Sequence, residues 1–373
     1  MRILLLCWFL LGNLYWANAQ INVGSNMIPK LAAGKISPET YADIQSAQAY
    51  FLLRDADQRD SAVIAGILAE AWTLCPVAVI PHAAACDLPE DGNYLFMDID
   101  RSTRNYVQNS RPPLAMGDAQ YDRLNQARHR ASRQRGVKPM IHFHLWLRGE
   151  AVAYKNWELR AMKGDEEPPT RYEKRTIARV DMHAINLLGT TPSTFNNQGN
   201  HDINCGKSLF NRSGFSNWEP GFLKNYLQEI VRNVENQETR FLYQEKRNEG
   251  ELGQLQSQTL YVPNYAMKVI QPIMVRRHRP EDLMDDYEHP YELISGDALS
   301  QKILLNEEPF FYLSCIRNLK GTAFYNVVNS ATGQIIYSDF EHKRLNFERN
   351  DVRRLSNAIG RLWGSLYVLA DLK

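Results

Sequence analysis

Residues Pro290 to Leu366 constrain the fold more than any other stretch, because their apolar pattern changes period in a fixed order. Tyr291 to Ser295 predicts a short strand. Asp297 to Leu304 predicts a helix with Leu299, Ile303 and Leu304 on one side and Ser295 or Asp297 as its cap. Phe310 to Arg317 has the aromatic and apolar content of a buried strand. Thr322 to Val328 and Gln334 to Phe340 flank a turn in which Gly333 supplies the positive φ that a hairpin return needs. A last helix starts near Asn350, with Val352, Leu355, Ile359 and Leu362 as its apolar stripe. The order is β-α-β-β-β-α, with helices expected on one face of a sheet.

The first half has a similar order. Tyr50 to Arg54, Pro76 to Ile80 and Gly92 to Asp98 predict strands, and Arg59 to Trp72 predicts a helix that Asp57 or Asp60 would cap. Ile141 to Arg148 and Ile177 to Leu187 alternate as half-buried antiparallel strands do. The expected class is therefore α+β: mixed, largely antiparallel sheets in two distantly repeated β-α-β-β-β halves. The expected parts are a leader (1–19), an N-terminal half (20–188), a Gly/Asn-rich insertion with a helical connector (189–250) and a C-terminal half (251–373).

The run Val327-Val328-Asn329-Ser330-Ala331-Thr332-Gly333-Gln334-Ile335-Ile336-Tyr337 resembles the "apolar strand, Asp/Asn-x-x-Thr-Gly, apolar strand" hairpin of some envelope proteins. Among these are the curli-secretion lipoprotein and the lipoproteins that activate penicillin-binding proteins. The whole chain also resembles secreted proteins of unknown function from Bacteroidota. These resemblances imply an envelope α/β domain and carry over no activity and no functional residues.

Met1-Arg2, the apolar run Ile3 to Trp16 and Ala17-Asn18-Ala19 have the order of a cleaved secretory leader, too short to span a bilayer comfortably. No later run is long and apolar enough to do so, and the expected location is periplasmic or extracellular. The 43 basic and 42 acidic residues nearly cancel, which argues against general nucleic-acid binding. Charge is uneven locally. Arg123, Arg128, Arg130, Arg133 and Arg135 lie in a basic segment, and Glu281, Asp282, Asp285, Asp286 and Glu288 form an acidic cluster. Both suit solvated faces; the basic one also suits a contact surface for an envelope protein or an acidic glycan. Cys75, Cys86, Cys205 and Cys315 remain after cleavage. Cys75 and Cys86, close in sequence, are the pair considered for a bridge in an oxidising compartment.

Two constellations carry candidate chemistry. His142 and His144 share one face of a strand, and Asp181 and His183 share one face of another. If the strands pair, these groups, with His201 and Asp202 from the Gly189 to Gly221 loop, could form a zinc-like site. A polar, solvent-facing sheet explains the same alternation without metal. Asp98-Ile99-Asp100 ends an apolar strand and resembles the motif of haloacid-dehalogenase-type phosphatases, which implies a nucleophile, an acid/base and magnesium. Arg101 stands where that family has glycine. No Gly-x-Ser-x-Gly, P-loop, Gly-x-Gly-x-x-Gly or His-Glu-x-x-His motif is present. The leading expectation is an exported, non-catalytic binding protein without a cofactor. A zinc-dependent hydrolase and an Asp-x-Asp phosphatase are the alternatives. Cleavage between Ala19 and Gln20 is the first testable consequence: the intact mass of exported protein should lack residues 1–19, and their retention would refute the leader.

Overall fold

A computed structural model describes residues 21–23, 25–28, 32–34, 36–89, 91–107, 135–152, 171–183, 210, 216–240, 245–270, 275–277, 279–305, 308–317, 323–341 and 346–370. The chain starts with β1 (Ile21–Val23) and a small hairpin of β2 (Ser25–Ile28) and β3 (Ala32–Gly34). Helix α1 (Pro38–Ser46) begins where the Ser37 hydroxyl accepts from the Thr40 N–H at 3.1 Å, with Pro38 in its first turn. Strand β4 (Gln48–Leu53), a 3-10 turn (Asp55–Asp60) and α2 (Ser61–Ala71) follow. Asp60 occupies the N-cap position of α2 but makes no side-chain capping bond, so that helix is held by burying Ile64, Ile67, Leu68 and Ala71. Next come β5 (Val77–Pro81), a second 3-10 turn (His82–Asp87), β6 (Tyr94–Val107), β7 (Arg135–Val152) and β8 (Arg171–His183).

Helix α3 (Pro220–Glu235) leads into the second half: β9 (Lys246–Arg247), α4 (Glu249–Leu252), β10 (Leu260–Pro263), the small pair β11 (Lys268–Ile270) and β12 (Val275–Arg277), α5 (Pro280–Met284) and β13 (Tyr291–Ile294). It ends with α6 (Gly296–Leu305), β14 (Phe311–Arg317), β15 (Ala323–Asn329), β16 (Ile335–Glu341) and α7 (Arg349–Ala370). Of the two expected caps of α6, Ser295 serves, its hydroxyl accepting from the Ala298 N–H at 3.1 Å.

The α+β class is as expected, and the two halves repeat one topology. One six-stranded sheet has the order β1-β8-β7-β6-β4-β5, the other β9-β16-β15-β14-β10-β13. In each, the first central strand pairs in parallel with its two neighbours, and the remaining pairings are antiparallel. The correspondence extends to register. Asp98 faces His144, which faces Arg179, and in the second sheet Ser314 faces Asn326, which faces Ser338. Register irregularities fall at matching places, Leu145/Trp146 and Val327/Val328.

One expectation needs correction: helices cover the second sheet on both faces. Tyr312 and Val328 share a core with α3 and α6, whereas Phe311, Leu313, Tyr325 and Val327 share one with Val352, Leu355 and Ile359 of α7. Strand alternation puts these sets on opposite sides.

Helix α3 joins the halves. Twelve of its sixteen residues are buried, so it has no solvent stripe of the kind a surface helix shows. Phe222, Leu223, Leu227, Ile230 and Val234 belong to one core with Phe51 and Phe143 of the first sheet and Tyr312 and Ile335 of the second. Its polar residues are matched. Lys224 Nζ meets Glu70 at 2.5 Å, and Asn225 donates to the Ser330 carbonyl at 2.8 Å and accepts from the Tyr312 hydroxyl at 3.0 Å. Gln228 donates to the Ala331 carbonyl at 3.0 Å. The turn of the β15–β16 hairpin thus docks on α3.

Two variants test this frame. Gly333 has φ +64°, and a Cβ there would lie 2.3 Å from the Asn225 carbonyl oxygen. Gly333→Ala should cost about 2–4 kcal/mol through the left-handed backbone and the forced contact, read as a lower urea midpoint at unchanged slope; an unchanged midpoint would contradict the docking. Glu219, at the N-cap of α3, accepts from the Trp218 N–H at 3.0 Å, and burial, reinforced weakly by Asp297, raises its carboxyl above the usual range. The folded state therefore holds this proton more tightly than the unfolded chain, so the group's contribution falls as pH rises from its unfolded value through its folded one. Glu219→Gln should melt higher than wild type at pH 7, with the gap closing towards pH 4.

Candidate functional site

The two faces of the first sheet differ in what they bury. Phe51, Leu53, Leu95, Met97, Ile99, Phe143, Leu145 and Leu147 point into the shared core with α2 and α3. The opposite face carries a separate cluster built on Leu52, Tyr94 and Phe96, with Tyr50, Ile80, Leu88 and Trp146 packed against it. Its rings form a shelf: Phe96 lies 4.6 Å from Trp146, 6.2 Å from Tyr50 and 6.0 Å from Tyr94, and the Arg148 guanidinium sits 5.3 Å above Tyr94. Ala85, in the 3-10 turn after β5, closes one end of it with Leu88.

Beside the shelf the face turns polar. Asp98, His144 and Arg179 stand opposite one another on β6, β7 and β8. One row further on, Asp100 faces His142, which faces Asp181, and beyond them Met140 faces His183. The strands bearing the two predicted His/Asp pairs do pair, and the Asp-x-Asp motif lies on the adjoining strand. The side chains of Asp100, His142, Asp181 and His183 lie outside the described residues, so their relation here is one of backbone register. Asp98 is 8% exposed, and its Oδ1 has no hydrogen-bond partner among the described residues. An unmatched buried polar atom costs about 1–3 kcal/mol, more when charged, and so calls for an explanation.

The Asp-x-Asp segment does not end its strand. Asp98 is level with Leu52 near the end of β4, but β6 continues to Val107 in an antiparallel ladder with β7. The pairing energy of that long ladder overrides the polar composition that suggested a strand exit.

Arg123, Arg128, Arg130 and Arg133, together with His201, Asp202 and Cys205, lie outside the described residues, as does the side chain of Arg135 at the start of β7. Part of the acidic cluster is paired within the second half: Arg349 of α7 meets Asp285 at 2.7 Å and Asp286 at 2.6 Å. The hydrogen bond from Arg349 holds the Asp286 carboxyl below the usual range. Cys75 keeps a free, half-buried thiol that burial pushes up in pKa. The bridge considered to Cys86 has no counterpart at Cys75, and extended β5, about 16 Å over its five residues, runs between the two positions. The Cys86 side chain lies outside the described residues.

The sequence reading missed the aromatic shelf. Its signal was parity: Phe96 and Trp146 stand two residues from Asp98 and His144, and so share their face. Among the described residues no group of three or more His, Cys, Asp and Glu side chains converges on a cation position, and no helix is long and apolar enough to cross a membrane. No known family model matches the chain, and no curated protein or solved structure shows significant similarity to it.

Proposed function

We propose that the chain is an exported, envelope-associated binding protein that does not catalyse a reaction, and that it binds a glycan with acidic groups on the outer face of its first sheet. The observation that carries this reading is the aromatic shelf, in which partly exposed Tyr50 and Trp146 rest on buried Tyr94 and Phe96, running into the row Asp98, His144 and Arg179, of which His144 and Arg179 are partly exposed. Binding sites commonly combine an apolar, aromatic wall with a few fixed polar groups. Rings offer flat area at low entropic cost, and a sugar presents apolar C–H faces and hydroxyl edges to such a wall. Arg148 and Arg179 add positive charge for an acidic group. The equivalent row of the second sheet, Ser314, Asn326 and Ser338, is uncharged and buried. The leader-like N-terminus and the hairpin resemblance support an envelope setting.

The test is titration of the purified mature protein with acidic envelope glycans, followed by tryptophan fluorescence. Trp146→Ala should weaken binding at least 10-fold, equivalent to about 1.4 kcal/mol, with an unchanged circular-dichroism spectrum. No binding by wild type, or equal binding by Trp146→Ala, would remove the glycan. Recovery of one envelope protein by wild type and not by Trp146→Ala would assign the face to a protein partner instead.

A further inference from the structure

We propose that the free edge of the first sheet, strand β5, pairs antiparallel with the β5 of a second copy of this chain, and that α2 packs on its counterpart over the joint. Strand β5 ends its sheet and is paired, in parallel, with β4 alone. The Ala49 N–H donates to the Pro76 carbonyl at 2.8 Å, so the residues of β5 that bond back to β4 are Ala78 and Ile80. Val77 and Val79 turn their N–H and C=O groups outward, where no described group bonds to them. The open window stops on both sides: the Cys75 carbonyl accepts from the Trp72 indole N–H at 3.1 Å, and Pro81 has no N–H to offer.

The internal comparison shows that this edge lacks a safeguard present on its counterpart. Strand β13 is the corresponding edge, since the Leu260 N–H donates to the Pro290 carbonyl at 3.0 Å as Ala49 does to Pro76. The shared register sets exposed Glu292 where β5 has exposed Ala78. A charge on an edge strand deters pairing with another chain; β5 carries none. Helix α2, which packs on β5, is equally bare. Ala62, Val63, Ala65, Gly66 and Ala69 are exposed, and its one charged residue, Glu70, is committed to Lys224 of α3 at 2.5 Å. A helix that is apolar all round belongs in an interior or an interface.

A second copy fits this surface better than a foreign strand. The window Val77–Val79 is symmetric about Ala78: across a two-fold axis there, each Val77 exchanges both backbone bonds with the second copy's Val79, and every outward group is matched. Ala78 then faces its own copy at about 4.5 Å between Cα atoms, a separation its methyl group accommodates. A longer foreign strand would reach the bonded Cys75 carbonyl and the missing donor of Pro81. With strands about 4.8 Å apart, helices seated over β4 and β5 come about 10 Å from each other, within reach of direct packing. The axis leaves both aromatic shelves on one face of a continuous sheet, because Ala78 and Ile80 are level with Tyr50 and Leu52.

Sedimentation velocity of the mature protein over a concentration series would read the pairing. Wild type should run at twice the mass of one chain. Ala78→Glu, which copies the residue at 292, sets two like charges opposite each other and should weaken self-association at least about 10-fold with an unchanged circular-dichroism spectrum. Ala78→Cys should give a disulfide-linked dimer on mild oxidation, because a facing Cα separation of about 4.5 Å lies within disulfide range; Glu292→Cys, at the equivalent edge, should not. If Ala78→Glu does not fold, Ala65→Glu on the exposed side of α2 takes its place. A single-chain mass for wild type at high micromolar concentration, undiminished pairing in the folded variant, or linkage through Glu292→Cys and not Ala78→Cys would overturn the proposal. Recovery of wild type as a one-to-one complex with a foreign protein would assign the edge to that partner instead. Pairing is read without glycan, so it and the glycan reading can fail separately.

Discussion

The fold depends on burying a helix that is not itself apolar. Helix α3 carries Lys224, Asn225, Glu229 and Asn233 into the region between the sheets, and each is tolerable only because a partner waits there. Glu229 is fully buried, with Arg232 at 2.7 Å on its own helix and Arg240 at 3.2 Å beyond the helix end. Burial lowers the Arg240 pKa, and the Glu229 charge acts in the opposite direction. The Arg240 backbone in turn exchanges hydrogen bonds with Val23 of β1, at 3.0 and 3.2 Å. The pair therefore ties the central helix to the edge of the first sheet. Removing one partner from such a pair typically costs about 3–5 kcal/mol, because the other charge is left stranded. Its worth lies in fixing how α3 enters the core, since apolar contacts alone are non-directional.

That helix also explains why two similar sheets acquire different surfaces. In the second sheet the face bearing Tyr312 and Val328 is closed by α3 and α6, and the polar residues in it are small and neutral. In the first sheet the corresponding face bears Phe96 and Trp146, and the connection in the place of α6 is only the 3-10 turn His82–Asp87. On that face Leu52, Tyr94, Phe96 and Asp98 are buried and Tyr50, His144, Trp146 and Arg179 partly so, with Asp, His and Arg at the positions held by Ser, Asn and Ser in the other half. One topology thus carries a small, neutral polar row in one copy and an aromatic and charged row in the other.

Much of the fold was legible in the sequence because each half obeys local rules. The alternation of Ile141 to Arg148, the stripe Val352-Leu355-Ile359 and the glycine at 333 each predict their element directly, and Gly333 has the positive φ the turn chemistry demanded. Errors arose where tertiary context decides. Asp98 and Asp100 resemble a strand exit in isolation, but pairing with His144 and His142 carries β6 through them. In α3 the spacing of Leu223, Leu227, Ile230 and Val234 marks one apolar side, and nothing local reveals that its polar side is buried as well. The candidate site was half legible. The His and Asp residues were singled out as rival motifs on separate strands, and only the β6–β7–β8 register makes them neighbours. The shelf escaped notice because alternation along one strand does not show which aromatics meet across strands; Tyr94 and Phe96 are buried, as a strand aromatic usually is, and only Tyr50 and Trp146 are partly exposed.

The internal comparison also bears on how a charged row can persist inside a sheet. A cross-strand Asp–His pair supplies some attraction, of the order of 0.2–1 kcal/mol for opposite charges on a sheet surface, which does not offset burying a carboxylate to the extent seen for Asp98. The long β6–β7 ladder offsets it. That ladder extends from Leu95 to Val107 against Leu147 to Arg135, well past the end of β4, so its backbone bonds and the inner-face residues Leu95, Met97 and Ile99 hold the strands in place whatever the outer row contains. The second sheet has only the shorter strands Phe311–Arg317 and Ala323–Asn329, and its row sits between two packed cores. The half with the longer ladder is therefore the half in which an energetically costly row of Asp, His and Arg can be maintained.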